Sequence, residues 1–172
     1  MKKGFTIIEM LLYIGILTII ILLTVYFVSW GIKMNAKSKA SQEVLENAKF
    51  AMEKIIFEIR SAKEIYTPTS VFDAHPGQLS LKTRQNLPEG ESATYADFYL
   101  ENEKIYLKND GQNPQALTSE RTKATNLVFK HLNSAFSTSS IQVELKIEYK
   151  TSSEKPEWQA QTSLISTATL RK

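Results

Sequence analysis

The chain has 172 residues, of which 42% are hydrophobic, and a formal net charge of +3. Beyond a strongly apolar first stretch, it is long enough for one small domain and too short for two. The charge would fall to +1 without Lys2 and Lys3, so no strong electrostatic field is available to recruit polyanions. The chain contains no cysteine, which excludes a disulfide framework and a thiolate site.

The apolar stretch spans residues 10–32 and contains no charged side chain. As a helix it would be about 34 Å long, slightly more than the hydrocarbon core of a bilayer. A cleaved secretory signal has an apolar region of only about 7–15 residues and ends in a small-x-small cleavage site, and neither condition holds here. We therefore predict a transmembrane helix. Lysines occur on both sides of it, so charge alone leaves its orientation open.

Glu9 is a carboxylate at the start of this apolar stretch. A charge at membrane depth costs at least about 2.5–3.5 kcal/mol on insertion scales, so Glu9 is a functional candidate that requires a cation. The basic side chains upstream are Lys2 and Lys3, and any pairing depends on what happens to the residues before Phe5. The alternative is that Glu9 only complements the positive end of the helix, an effect of about 0.3–1 kcal/mol.

No proline occurs before Pro68, which permits the helix to continue past the membrane segment. Between residues 44 and 62, apolar side chains recur at spacings of three and four, and charged side chains fill the other faces. We predict one helix from about Thr6 to about Ile65, with a transmembrane front half and an amphipathic rear half. A frayed or bent linker over the small, polar residues 33–42 is the alternative.

From Pro68 onward the chain consists of short segments rich in β-branched and aromatic residues, separated by Pro, Gly and Asn. This pattern predicts strands over residues 78–83, 94–100, 104–108, 126–132, 141–150 and 161–170. Residues 141–149 alternate strictly between apolar and polar, as in an antiparallel sheet with one wet face, and the last strand is their expected partner. Turns are predicted at 101–103 and 109–111. The predicted fold class is α+β, with a long helix whose rear half packs on an antiparallel sheet.

The sequence contains no motif of a catalytic, cofactor-binding or metal site, and we expect the protein not to be an enzyme. Its two histidines, His75 and His131, lack the spacing of zinc ligands, so a surface or edge role is favoured for both. The three aspartates are far apart in sequence, which excludes a calcium loop with ligands at alternating positions. A calcium site formed by residues that are distant in sequence and close in the folded domain stays an open alternative.

Four aromatic residues in the predicted strands present one further possibility. Proteins that bind single-stranded nucleic acid stack its bases on aromatic side chains. The four aromatic residues are Tyr95, Phe98, Tyr99 and Tyr106. Basic residues are sparse around them, and two glutamates occupy the intervening turn. Strand core and sheet surface are therefore the favoured roles, and nucleic acid is not a main expected partner.

The chain begins with a short basic leader, a Gly-Phe pair, a glutamate five residues after that glycine, and an apolar helix: Lys2-Lys3-Gly4-Phe5-Thr6-Ile7-Ile8-Glu9-Met10-Leu11. This pattern resembles the amino-terminal signature of type IV prepilins, including the pseudopilins of type II secretion systems. More weakly, residues 44–62 and the closing Ser166-Thr167-Ala168-Thr169-Leu170-Arg171 resemble the J-type minor pseudopilins and the W-type minor pilins.

This resemblance implies that a prepilin peptidase cleaves the chain between Gly4 and Phe5 and methylates the new amine of Phe5. It implies that Glu9 functions in subunit assembly by neutralising the amine of a neighbouring subunit. It also implies that the basic leader stays cytoplasmic and that the carboxyl-terminal domain lies outside the inner membrane. Many major pilins have a proline within the apolar helix, and this chain has none there, so helix melting on assembly is not implied.

The implied organisation is a leader peptide over residues 1–4, a transmembrane and filament-core helix over 5–32, its amphipathic continuation over 33–66 and a β-rich pilin domain over 67–172. The implied function is that of a structural minor subunit of a type IV pilus or a type II secretion pseudopilus, near the filament tip. Its implied partners are the prepilin peptidase, other pilins or pseudopilins, the inner-membrane assembly platform and, before assembly, the lipid bilayer. The alternatives are a signal-anchored membrane protein with an extracytoplasmic binding domain, and a DNA-uptake pilin.

Overall fold

The computed structural model describes residues 6–84, 93–132, 139–152 and 155–170. Its architecture confirms the α+β prediction, because one long helix packs against antiparallel sheets. Helix α1 spans Ile7–Ser61, 55 residues without interruption, which corresponds to about 80 Å. The linker alternative over 33–42 is therefore not observed.

Helix α1 ends four residues before the predicted end near Ile65. Ala62 takes an extended conformation, and Glu64–Ile65 form strand β1. The N–H groups of Lys63 and Tyr66 donate to the carbonyls of Lys82 and Ser80 at 2.9 and 2.8 Å. Pairing with a strand distant in sequence thus replaces the last turn of the helix, and local periodicity does not contain that information.

The rear half of α1 is attached to the domain by small and branched apolar side chains. Ala40 is the first buried residue of the helix, and the buried positions continue at helical spacing. Several of them are alanines, which allow the helix to approach the strands closely. Polar bonds fix one flank, since Asn47 Oδ1 accepts from the N–H of Ser119 at 2.7 Å and Glu43 pairs with Arg121 at 3.8 Å.

The described strands form two antiparallel sheets instead of one. The first contains β1 to β5 in chain order: Glu64–Ile65, Leu79–Thr83, Thr94–Glu101, Lys104–Asn109 and Gln115–Ala116. The second contains β6 to β8 in chain order: Thr122–Leu132, Ser140–Tyr149 and Gln161–Thr169. A single 3₁₀ turn, Pro156–Trp158, precedes β8. All six predicted strands are present, and the last strand is the partner of β7 as predicted.

The core lies between the rear half of α1 and the inner faces of the two sheets. α1 packs chiefly on β8 and β7, and β4 contacts β6. The largest side chains in the core are fully buried, including Phe98, Phe129, Ile55 and Ile59. The predicted 101–103 hairpin is confirmed, and its residues Asn102 and Glu103 have φ values of 48° and 63°. These values are typical of the tight turn that matches strand twist.

Strand β6 begins four residues earlier than predicted because it contains a bulge. Its pairing with β7 shifts between Ala124 and Asn126. The buried positions change there from Thr122 and Ala124 to Leu127 and Phe129. The buried positions thus change from even to odd numbers within one strand. The first half of β6 therefore does not continue the strict alternation of its second half, and the sequence pattern alone does not identify it as part of the strand.

A loop protects the outer edge of β6. The N–H groups of Asp73 and Gly77 donate to the carbonyls of Phe129 and Leu127 at 2.9 and 2.8 Å. The ring of His75 takes part, since its Nδ1 accepts from the N–H of Leu127 at 3.1 Å. A Cβ at position 77 would lie 2.9 Å from the carbonyl oxygen of Leu127, so this close approach requires glycine.

We predict that Gly77→Ala destabilises the domain by about 1–3 kcal/mol, because the loop must move away from β6. Thermal unfolding of the full chain in detergent measures the effect. Gly31→Ala is the matched control, since a Cβ there meets no atom within 4 Å. Equal unfolding midpoints for Gly77→Ala and the wild type would contradict the proposed role of the glycine.

Candidate functional site

The front half of α1 forms a fully exposed apolar surface. Every residue from Ile7 to Asn35 is exposed in the isolated chain. An 18-residue stretch of the helix has a mean hydropathy of 2.7, and none of its residues is buried. By length and composition it can span a membrane, as a transmembrane or signal-anchor segment near the amino terminus.

Two threonine hydroxyls within this segment are satisfied by the helix itself. Thr18 Oγ1 donates to the carbonyl of Ile14, and Thr24 Oγ1 donates to that of Ile20, each at 2.8 Å. Such back-bonding allows threonine to occur in surroundings without water. Phe27 and Trp30 lie together near the far end with ring centroids 6.2 Å apart. Aromatic rings of this kind suit a membrane–water interface.

Glu9 lies in the first turn of α1, where it forms a capping box with Thr6. Glu9 Oε2 accepts from the backbone N–H of Thr6 at 2.9 Å and from Thr6 Oγ1 at 3.1 Å. The N–H of Glu9 donates to Thr6 Oγ1 at 3.3 Å. Two backbone donors at the helix start are thereby satisfied. The role of Thr6 was not predicted from the sequence, although Thr-x-x-Glu before an apolar run is a recognisable signal for this motif.

The structure therefore shows the helix-start interaction considered for Glu9. The predicted cleavage residues, Gly4 and Phe5, lie outside the described residues. Glu9 uses one carboxylate oxygen in the cap, and within the described ranges its Oε1 makes no hydrogen bond. The residue that bonds this carboxylate, Thr6, directly follows Phe5 in the sequence. Phe5 is the residue on which the new amine is predicted.

We predict that Thr6→Ala frays the first turn of α1, because loss of an N-cap side chain costs about 0.5–2 kcal/mol. Glu9→Gln should retain the cap, since glutamine also serves in a capping box. Amide hydrogen exchange of residues 8–10 in detergent micelles distinguishes the two variants. Fraying in Glu9→Gln equal to that in Thr6→Ala would contradict this and would show that the cap also requires the carboxylate charge.

The histidines occupy edge positions, which confirms the role predicted for them. His75 bonds to the edge of β6, and His131 near the end of β6 stacks on Phe72 with ring centroids 5.4 Å apart. Over the described ranges, no group of three or more His, Cys, Asp or Glu residues is placed to hold a metal ion. Asp73, Asp97 and Asp110 do not converge with other acids into such a group.

The four strand aromatics do not share one surface. Phe98 is fully buried in the core, while Tyr95, Tyr99 and Tyr106 are only partly buried. Tyr99 and Tyr106 stack across β3 and β4 at 5.7 Å, and Tyr95 contacts Tyr66 at 5.0 Å. The Tyr99–Tyr106 pair is a typical cross-strand contact on a sheet surface, since the two residues are direct partners in the ladder.

Open cavities on the described part of the domain include one beside β7 and one beside β3. The larger, about 460 Å³, is lined by residues that include Lys123, Glu148 and Tyr149. The smaller, about 290 Å³, is lined by Tyr66, Thr69, Tyr95, Asp97, Lys108 and Asp110. The Glu148 carboxylate at the larger cavity lies 3.3 Å from Lys123, which also lines that cavity, and 2.9 Å from Lys146. The hydrogen bonds from Lys146 and then from Lys123 hold the pKa of Glu148 below its ordinary value, although burial opposes this.

We predict that Glu148 stabilises the domain in a pH-dependent way. Because its folded-state pKa is lowered, its contribution is present above the unfolded-state pKa of about 4.3 and is lost as the pH falls through the folded-state value. Glu148→Gln should therefore lower the unfolding midpoint near neutral pH and lose this effect in acid. Unfolding midpoints of the two proteins across acidic and neutral pH test this. A difference that does not change with pH would contradict it.

Comparisons of the chain with protein-family models, with curated proteins and with solved structures find no match. The most distinctive geometry is the fully exposed apolar half of a helix whose other half is fixed to the domain.

Proposed function

We propose that the chain is a prepilin-type structural subunit that assembles through the front half of α1 into a thin extracytoplasmic filament. The observation that carries the proposal is the contrast between the two halves of one continuous helix. Residues 7–35 are exposed and mostly apolar, whereas the stretch from Ala40 onward is held by the domain. An apolar surface of this size requires lipid or other apolar helices around it.

The carboxylate at the start of the helix favours a filament over a permanent anchor. In a simple anchor Glu9 would serve only the capping box at the helix start, whereas its burial among apolar helices would be costly without a cation. Cleavage after Gly4 would create that cation as the amine of Phe5. In the isolated subunit the carboxylate is occupied by the cap with Thr6. In the filament, we propose, Glu9 pairs with the amine of a neighbouring subunit.

Because α1 is continuous, the pairing at Glu9 would also position the domain. Because residues 33–42 are helical, the front half and the domain are connected without a flexible linker. A register fixed at Glu9 is then transmitted along the helix to the domain. The prepilin motif further supports a precursor in the inner membrane, with the domain on the extracytoplasmic side, and a structural rather than enzymatic role. Whether the filament is a pilus or a secretion pseudopilus depends on its partner subunits.

We predict that Gly4→Ala prevents processing, because the peptidase motif requires glycine before the cleaved bond. The variant should migrate more slowly than the wild type in electrophoresis of membranes from cells that contain a prepilin peptidase. Gly15→Ala is the control, since a Cβ there meets no atom within 4 Å and the residue lies past the motif. Unchanged mobility of Gly4→Ala relative to the wild type would argue against the proposal.

We predict that Glu9→Gln is processed normally but is poorly incorporated into filaments. Glutamine keeps the capping hydrogen bonds and removes the charge. Loss of one partner from a buried ion pair costs about 3–5 kcal/mol. The ratio of filament-associated to membrane-associated protein, measured by quantitative immunoblotting of sheared fractions, reports incorporation. Wild-type incorporation of Glu9→Gln would refute the pairing while leaving the processing proposal intact.

A further inference from the structure

The edge of strand β8 is the least protected sheet edge in the described part of the chain. The five-stranded sheet ends in β1 and β5, which contain two residues each. The outer edge of β6 contains a bulge and is covered by the loop that carries Asp73, His75 and Gly77. Strand β8 has nine residues, and among the described strands it pairs only with β7. Short, bulged or covered edges are the usual protection against strand addition, and β8 has none of them.

The pairing of β7 with β8 shows which backbone groups face outward. At the two ends of the ladder, Tyr149 donates to Ala160 at 2.8 Å and Leu170 donates to Ser139 at 3.2 Å. Hydrogen-bonded pairs alternate along an antiparallel ladder, so the even-numbered residues of β8 bond to β7. The odd-numbered residues direct their N–H and C=O groups away from β7: Gln161, Ser163, Ile165, Thr167 and Thr169. Over the described residues, these backbone groups have no hydrogen-bond partner.

The composition of β8 also lacks the usual protection. It contains no charged residue and no proline, and its register with β7 is continuous. Ile165, at the centre, is 65% exposed. By contrast, the outward side chains of β6 and β7 form ion pairs such as Lys123 with Glu148. Charges, prolines and bulges are the devices that prevent strand addition, and β8 has none of them.

We propose that the open edge of β8 binds an extended strand of a different protein by β-augmentation. Only an extended polypeptide supplies alternating donors and acceptors at the spacing of a strand edge. The composition of β8 fits an uncharged segment with an apolar residue opposite Ile165 and small or hydroxyl side chains opposite Ser163 and Thr167. The inference does not depend on processing at Gly4, because the edge belongs to the domain.

A second copy of this chain does not fit as the occupant. Two β8 edges paired antiparallel would be related by a two-fold axis perpendicular to the sheet. Since α1 packs along the same sheet, this symmetry would direct the two helices in opposite directions, and their apolar halves could not enter one membrane from the same side. The other described edges are too short or are covered, so they cannot supply a long partner strand in another orientation.

The test titrates the full chain in detergent micelles against a labelled synthetic peptide with the sequence of β8, residues 161–169. The peptide is uncharged, and in antiparallel pairing it places isoleucine opposite Ile165 and threonine opposite Ser163. We expect saturable binding by fluorescence anisotropy. The double variant Ser163→Pro with Thr167→Pro removes two outward N–H groups and leaves the bonds to β7 intact, so it should bind at least about tenfold more weakly. The matched double alanine variant keeps both N–H groups and should bind like the wild type.

Amide exchange at Leu164, which bonds to β7, verifies that the proline variant retains its sheet. If this protection is lost, Ile165→Lys decides, because it leaves the backbone unchanged and adds an edge charge that should weaken binding several-fold. The inference is overturned if the wild type shows no saturable binding, or if the variant that retains its sheet binds as tightly as the wild type.

Discussion

The structure depends on the attachment of the rear half of one long helix to the sheet of β7 and β8. Small side chains such as Ala48 and Ala51 allow the helix to lie close to the strands, and both are fully buried. Asn47 and Glu43 fix its rotation through Ser119 and Arg121. Because this attachment begins only at Ala40, the preceding residues of the same helix are left without cover from the domain. The exposed apolar half is therefore a direct consequence of how the rear half packs.

The two halves of α1 lie in different environments but cannot move independently, because the helix is continuous. The apolar half requires lipid or neighbouring helices, and the domain must follow any movement of that half because no linker interrupts α1. Under the proposed filament role, one ionic contact near Glu9 could set the position of the whole domain. The open edge of β8 would then present a second, directional contact with a different protein. The two surfaces use different chemistry, since the first is apolar with one charge and the second consists of uncharged backbone groups.

Much of the fold was predictable because its signals are local and periodic. The apolar run, the absence of proline before Pro68 and the spacing from Val44 to Ala62 indicated the long helix, and strict alternation indicated β7. The end of α1, the bulge in β6 and the two-residue strands were not predictable in this way. Each results from pairing between distant residues, such as Lys63 with Lys82, or from a change of parity at Thr125. At the candidate site, the sequence identified Glu9, but its bond to Thr6 required attention to capping as well as to charge.

The amino terminus of the native protein tests the central claim most directly. Mass spectrometry of the wild-type chain, isolated from membranes and filaments of its own cells, identifies the first residue and its modification. The filament proposal predicts that the chain begins with N-methylated Phe5. A chain that retains Met1 to Gly4 in both fractions would contradict it and would support a permanently anchored membrane protein.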